Sequence, residues 1–217
     1  MPAAGSGVRL GPGDPKALRL LAGRSLLFHA VTRLRAAASV ETVVVAVPPG
    51  CEQEIADELG VVAVPGGATR QDSVRAALAA LPAAVDIVLV HDAARPLAPV
   101  ALIEAVAEAV RAGAPAVVPG LPVDDTVKRV DEAGRVVETP ARESLRAIQT
   151  PQGFRREVLE RAHAQRVSGI TDDAGLVELL GEPVLVIPGA ADAFKITRPD
   201  DLARAEGLLV AEAVVEP

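Results

Sequence analysis

Short, nearly continuous apolar runs alternate with segments of helical period along most of this chain, and that alternation narrows its possible folds more than any other feature. Residues 43–47, 61–64, 87–90, 116–118 and 184–187 are runs of Val, Ile, Leu and Ala, the pattern of strands buried on both faces. Between them, residues 52–59, 71–81, 100–112, 155–166, 173–180 and 200–214 carry apolar side chains at helical spacing. Strand, crossover and strand in that order predict an α/β fold. The sheet is expected to be doubly wound and mostly parallel, with helices on both faces and a single domain over residues 1–217. Asp72-Ser73 ahead of Val74, and Thr171-Asp172-Asp173 ahead of Leu176, Val177 and Leu180, read as helix openings.

Two segments break the alternation. Residues 126–130 and 135–139 flank Asp131-Glu-Ala-Gly134 and read as a protruding β-arm within about 123–149. An isolated hairpin with little apolar surface is marginal in water, so the arm is expected to pack on a second copy of the chain. The other oddity is the opening, Met1-Pro-Ala-Ala-Gly-Ser-Gly7. In a doubly wound fold such a glycine turn leaves the carboxyl end of a central first strand, and no strand precedes it here. The neighbouring strands would then face a gap with unpaired backbone groups, and the expectation is that the true start lies upstream of Met1. The last helical segment ends just before Pro217, so no fused second catalytic domain is expected.

Composition removes several function classes. A net charge of −7, with Phe28, Phe154 and Phe194 as the sole aromatic rings, argues against a basic or stacking groove for nucleic acid. There is no apolar run of membrane-spanning length and no secretory signal pattern, so no membrane partner is expected and a cytoplasmic location is. Cys51 is the lone cysteine beside three histidines, which excludes an internal disulfide and a Cys/His zinc site. Of the 22 basic residues only Lys16, Lys128 and Lys195 are lysines. Against that arginine background, Lys16 and Lys195 stand out as candidates for the point contact a compact ammonium makes with a phosphate oxygen.

Four motifs could carry chemistry. Pro2-Ala-Ala-Gly-Ser-Gly-Val-Arg9, followed by Pro15-Lys16, is a small-residue loop whose N–H groups could approach phosphate oxygens, or else an ordinary turn. Leu10 stands where a dinucleotide fingerprint has its third glycine, and no Gly-Lys-Ser/Thr of a Walker loop is present. His91-Asp-Ala-Ala-Arg-Pro96 follows the strongest strand at the end where open α/β sheets bind ligands. Asp92 suits Mg²⁺, which takes one or two carboxylates plus substrate phosphates, or it caps; His91 reads as a packed structural residue. Pro65-Gly-Gly-Ala-Thr-Arg-Gln-Asp-Ser73 could bind polar atoms or cap a helix through Ser73. In Phe194-Lys195-Ile-Thr197-Arg-Pro-Asp-Asp201, the aspartates have a capping explanation and Lys195 has none.

In this order, and together with Pro122-Val-Asp-Asp-Thr126, Gln149-Thr-Pro-Gln152 and Thr171-Asp172, these segments resemble the 2-C-methyl-D-erythritol 4-phosphate cytidylyltransferase family over essentially the whole chain. The resemblance implies a Rossmann-like nucleotide-diphosphate-sugar transferase fold. It also implies a homodimer joined through the β-arm, CTP as co-substrate and Mg²⁺ as cofactor. By resemblance Arg9, Lys16 and Lys195 are catalytic and Asp92 holds the metal. Ala3, Ala4, Gly5, Gly7, Gly67, Ser73 and Ala93 surround the nucleotide. Arg95, Thr150 and Thr171 face the polyol phosphate, joined by Thr126 and Arg142 from the second subunit's arm. Ala193 and Ala17-Leu18 depart from the usual pattern. Ribitol-5-phosphate cytidylyltransferases look very similar and form the alternative within the class. A non-catalytic nucleotide-binding protein is the alternative outside it.

Overall fold

The computed structural model describes all residues except Ser6, Val8, Arg9, Pro12, Ser168, Glu216 and Pro217, with residues 213–215 as backbone alone. Two short antiparallel strands, β1 (Leu20–Leu21) and β2 (Arg24–Ser25), lead into α1 (Leu26–Ala36). That helix was not anticipated from the sequence. Its start is fixed by Ser25, whose hydroxyl accepts the Phe28 N–H, and its buried stripe is Leu26, Leu27, Ala30, Val31 and Leu34.

The five predicted strands form with small shifts of boundary as β3 (Val44–Val47), β4 (Val62–Pro65), β5 (Ile87–Val90), β6 (Ala116–Pro122) and β11 (Val184–Pro188). All four β3 residues are buried, as a strand covered on both faces requires. The crossover helices are α2 (Glu52–Leu59), α3 (Arg70–Ala79) and α4 (Val100–Arg111). In α4, Leu102, Ile103, Val106, Ala107 and Val110 line one buried stripe at helical spacing. α3 opens earlier than predicted. Thr69 is its cap, in a capping box with Asp72, while Ser73 lies within the first turn.

The arm is a hairpin of β7 (Arg129–Val130) and β8 (Val136–Glu138), as predicted, tightened by the Asp131 carboxylate, which accepts from the Ala133 and Arg135 N–H groups. Two strands after it were not foreseen. β9 (Arg146–Ile148) pairs with β6, and β10 (Gln152–Arg155) inserts antiparallel between β5 and β6. The central order is therefore β11-β6-β10-β5, with β6 and β11 parallel, and β10 makes the sheet mixed. β10 has a single large apolar residue, Phe154, and runs directly into the helical spacing that starts at Arg155, so no strand pattern marks it in the sequence. Register places Phe154 between Val88 and Ala116, fully buried. Three helices follow: α5 (Arg156–Ala164), α6 (Asp173–Glu178) and α7 (Pro199–Val215).

The residues ahead of the first glycine turn pair with β3. Residues 1–3 run parallel to β3: Ala3 N donates to Ala46 O at 2.7 Å and Ala46 N to Met1 O at 2.9 Å. The Met1 amine donates to Val44 O at 2.7 Å, inside the protein. Burial pushes this amine from 8.0 down to about 5, against the smaller opposing pull of Asp173. An amine neutral in the fold and ordinary in the unfolded chain takes up a proton on unfolding between those values, so stability falls as pH drops through that window. His91, which burial lowers from 6.5 to about 4, adds a loss of the same sign below about pH 6.5. Urea unfolding should therefore show a loss on the order of 1–2 kcal/mol between pH 8 and pH 6.5. Nα-acetylation, which keeps the N–H donor and removes the charge, should flatten that part of the profile and leave the part due to His91.

Candidate functional site

The carboxyl ends of β3, β4 and β5 open onto a cavity of about 420 Å³ whose wall includes Pro2, Ala3, Ala4, Gly5 and Gly7, Lys16, the start of α3, residues 92–94, Lys195 and Thr197. Three turns from different parts of the chain converge here because parallel strands all end on the same side. Backbone lines much of the wall. Gly7 has φ +70° and a Cβ there would lie 2.7 Å from the Lys16 Cβ; a Cβ on Gly67 would lie 2.1 Å from that of Asp72. Both positions need glycine to let these turns close. Lys16 N donates to Gly5 O at 3.1 Å, tying the first turn to the lysine that follows it. Ser73 Oγ accepts the Gly67 N–H at 3.1 Å and donates to Thr69 O, which shapes the second turn.

Asp92 is the one acidic residue among the described residues lining the cavity. Lys195 Nζ lies 2.7 Å from its Oδ2 and Arg70 Nε 3.3 Å from its Oδ1. Burial alone would raise this carboxyl, but Arg70, Lys195 and Arg95 hold it well below the usual carboxylate range. It is an anion throughout the physiological range. Its main-chain N–H is held by Thr150 Oγ1 at 3.1 Å, and the same hydroxyl meets His91 Nδ1 at 3.0 Å. His91 Nε2 lies 3.1 Å from Arg95 O. His91, as expected, is packed and hydrogen-bonded.

Arg70 extends the charge network away from the cavity. Its Nη1 lies 2.7 Å from Asp173 Oδ2, a carboxylate with no exposed surface, and Asp173 Oδ1 meets His163 Nε2 at 2.9 Å. Burial would lower the Arg70 guanidinium; Asp173 and Asp92 together raise it instead. A five-residue chain therefore runs from Lys195 through Asp92, Arg70 and Asp173 to His163. It joins the end of β5, the start of α3, the first turn of α6 and the end of α5.

The cavity thus brings together Ala3, Ala4, Gly5, Gly7, Lys16, Gly67, Ser73, Asp92, Ala93 and Lys195, as the sequence predicts. Arg9 lies outside the described residues. Arg95 and Thr150 do not line the cavity: Arg95 donates to the carbonyls of Ala193 and Ile148 at 2.7 and 3.2 Å, and Thr150 is buried beneath Asp92. Thr171 is exposed beside the Asp172 cap of α6, and Thr126 and Arg142 are exposed on the arm. Arg142 Nη1 donates to Asp124 O at 2.7 Å. Sequence reasoning gave Arg70 and Asp173 no role in a site. The signal available was Arg70 in the first turn of a helix beside a glycine turn, where a base opposes the helix dipole and so needs a carboxylate nearby.

Known proteins similar to this chain share one family. Residues 1–211 match the family model for 2-C-methyl-D-erythritol 4-phosphate cytidylyltransferase. The enzyme of that name from Frankia casuarinae is 58% identical over 211 residues, covering 96% of this chain and 79% of its own length. The one from Saccharopolyspora erythraea is 52% identical, covering 96% and 97%. Among solved structures, the 2-C-methyl-D-erythritol 4-phosphate cytidylyltransferase of Thermus thermophilus superposes with a TM-score of 0.79 at 44% identity, covering 90% of this chain and 94% of that one. The 4-diphosphocytidyl-2C-methyl-D-erythritol synthase of Anaerococcus prevotii gives 0.84 at 29%, covering 96% and 93%. With a family match across nearly its whole length and relatives above half identity, the chain belongs to the 2-C-methyl-D-erythritol 4-phosphate cytidylyltransferase family.

Proposed function

We propose that this chain transfers the cytidylyl group of CTP to 2-C-methyl-D-erythritol 4-phosphate, releasing pyrophosphate, in isoprenoid precursor synthesis. The observation that carries the reading is the convergence of Lys16, Lys195, Arg70 and Asp92 with two glycine turns on one cavity, within a chain of this family. A phosphate oxygen of the polyol forms the new bond to the α-phosphorus of CTP, and the bond from that phosphorus to the bridging oxygen breaks, its electrons leaving with pyrophosphate. The nucleophile is already ionised, so the site needs positive charge more than a base. Lys16, beside the 3–7 turn, neutralises the triphosphate, with Arg9 expected on the same loop. Lys195 neutralises the approaching phosphate. The backbone of Ala3, Gly67 and Ser73 surrounds the cytosine, and Gly5 and Ala93 approach the ribose.

Mg²⁺, when bound, supplies further neutralisation of the phosphates, and the site suits it. Asp92 is ionised and would hold the cation, whose other ligands would come from substrate phosphates and water, as is usual for Mg²⁺. The β-arm serves as the dimerisation element. Val130, Val136 and Val137 on the hairpin are 52%, 58% and 59% exposed, an apolar surface suited to a second copy. Arg142 and Thr126 from that copy, with Thr171, then complete the polyol-phosphate side, and Thr150 and Arg95 act from behind it. Cys51, a free thiol, fits a reducing cytoplasm, and no helix among the described residues is long and apolar enough to cross a membrane.

Pyrophosphate release with CTP and Mg²⁺ is expected with 2-C-methyl-D-erythritol 4-phosphate and not with ribitol 5-phosphate at equal concentration; the opposite preference would overturn the reading. Lys16→Ala should lower turnover about 100-fold or more while leaving the unfolding midpoint unchanged. Asp173→Asn frees Arg70 to collapse onto Asp92, and we expect kcat to fall by about ten-fold or more with little change in KM for CTP. Lys16→Ala and Arg142→Ala chains, each inactive alone, should recover about a quarter of normal activity when mixed if the arm serves its partner's site. No recovery would place Arg142 in its own subunit's site.

A further inference from the structure

Arg19 grips the chain between the first glycine turn and Lys16 by three main-chain oxygens. It caps the short 3₁₀ turn Lys16–Leu18, its N–H donating to Lys16 O at 3.3 Å, and its own carbonyl accepts the N–H of Leu26, the first residue of α1, at 2.9 Å. The backbone of Arg19 is thus fixed between Lys16 and a helix. From there the half-buried side chain turns back along the sequence. Nη1 donates to Leu10 O at 3.0 Å, Nε to Asp14 O at 3.2 Å and Nη2 to Gly11 O. Gly13 packs against the same group: a Cβ there would lie 3.4 Å from Arg19 Cζ, and its φ of +138° favours glycine.

Carbonyl oxygens directed at one point repel one another unless donors stand among them. A guanidinium supplies those donors in a rigid planar fork, which an ammonium does not. Leu10 lines the cavity and Arg19 does not, so the guanidinium holds this loop from outside the cavity. The Leu10 side chain is anchored separately, buried with Leu21, Leu26, Leu97 and Ile196, and Ile196 adjoins Lys195. Leu10 N donates to Gly7 O at 2.8 Å and Lys16 N to Gly5 O at 3.1 Å. Closing the loop therefore sets the glycine turn and Lys16 against each other.

We propose that Arg19 is a positioning residue for the nucleotide: by holding Leu10, Gly11 and Asp14 it keeps the glycine turn and Lys16 in the geometry that receives the triphosphate, so that CTP binds without first ordering the loop. This role rests on the reading of the cavity as the CTP site. A preordered loop lowers the cost of binding. Once CTP is seated its phosphates hold the loop themselves, so Arg19 acts on affinity for the nucleotide more than on turnover.

The parent chain, Arg19→Ala and Arg19→Lys are compared by calorimetric binding of CTP with Mg²⁺, by initial rates and by amide exchange without ligand. Arg19→Ala should raise both Kd and KM for CTP about ten-fold, with kcat and the KM for the polyol phosphate within about two-fold of the parent. Arg19→Lys, which keeps the charge and loses the fork, should stay within about three-fold of Arg19→Ala. In the ligand-free Arg19→Ala chain the amides of Leu10 and Lys16 should exchange about ten-fold faster, those of β3 and β5 at the parent rate. An unchanged Kd for CTP or unchanged exchange of these two amides overturns the proposal, as does full recovery of affinity by Arg19→Lys, which would make Arg19 a charge acting on the phosphates. CTP binding by the parent without pyrophosphate release overturns the catalytic reading alone, and no CTP binding by the parent overturns both. If Arg19→Ala does not fold, Arg19→Gln, which shortens the fork to one amide, is read in its place.

Discussion

The charge chain from Lys195 to His163 is the constraint on which the site depends. Asp173 has no exposed surface, and a carboxylate buried without a partner costs several kcal/mol. It is tolerated because Arg70 and His163 both reach it. Arg70 can serve Asp173 only by standing at the start of α3, where it also reaches Asp92 at the end of β5. Removing either carboxylate leaves a guanidinium that is itself largely buried. The network therefore fixes the relative position of four elements, and the Gly66-Gly67 turn that lines the cavity leads directly into one of them, α3.

Packing completes what the charges begin. Phe154 on β10 sits between β5 and β6 with no exposed surface, and truncating a residue of that kind typically costs about 3–5 kcal/mol. By zipping β5 to β6 it brings the His91-Asp92 turn close to Gln149, which donates to Ala190 O and accepts from Ala190 N. That bond holds the approach to Lys195. Hydrogen bonds from Arg95 to Ala193 O and Ile148 O reinforce the same junction. Lys195 is positioned from both sides, while its ammonium, with a side chain 39% exposed, remains open to a ligand.

Electrostatics separates the roles of the two lysines. Lys195 is drawn to Asp92. Lys16 stands across the cavity, near enough to the start of α7 that its charge, after the N–H groups of Arg198 and Thr197, helps hold the Asp201 carboxyl low against burial. Two ammonium groups thus face one cavity from different loops, each near a carboxylate that limits their mutual repulsion. Such an arrangement suits a reaction that brings two phosphorylated substrates together.

The alternation of strands and helices from residue 43 to 118, the arm and most of the cavity wall were legible in the sequence, because buried strands, glycine turns and helix caps leave local signatures. Gly7, Gly67, Lys16, Asp92 and Lys195 each belong to a motif complete within about fifteen residues. What local pattern could not reveal depends on contacts between distant segments. β10 is a strand only because β5 and β6 flank it; by itself Gln-Gly-Phe-Arg has no strand periodicity. The roles of Arg70 and Asp173 exist only as a pair, 103 residues apart in sequence, and neither side chain signals the other. Arg95 and Thr150 sit in motifs that look like ligand contacts, and only the fold shows that Arg95 also holds the carbonyls of Ala193 and Ile148 while Thr150 holds the Asp92 N–H and meets His91 Nδ1. The α/β alternation and the chemistry available at the strand ends follow from short-range pattern in the chain. Which charges are buried together follows from folding alone, since burying a charge requires a partner that the chain must bring from elsewhere.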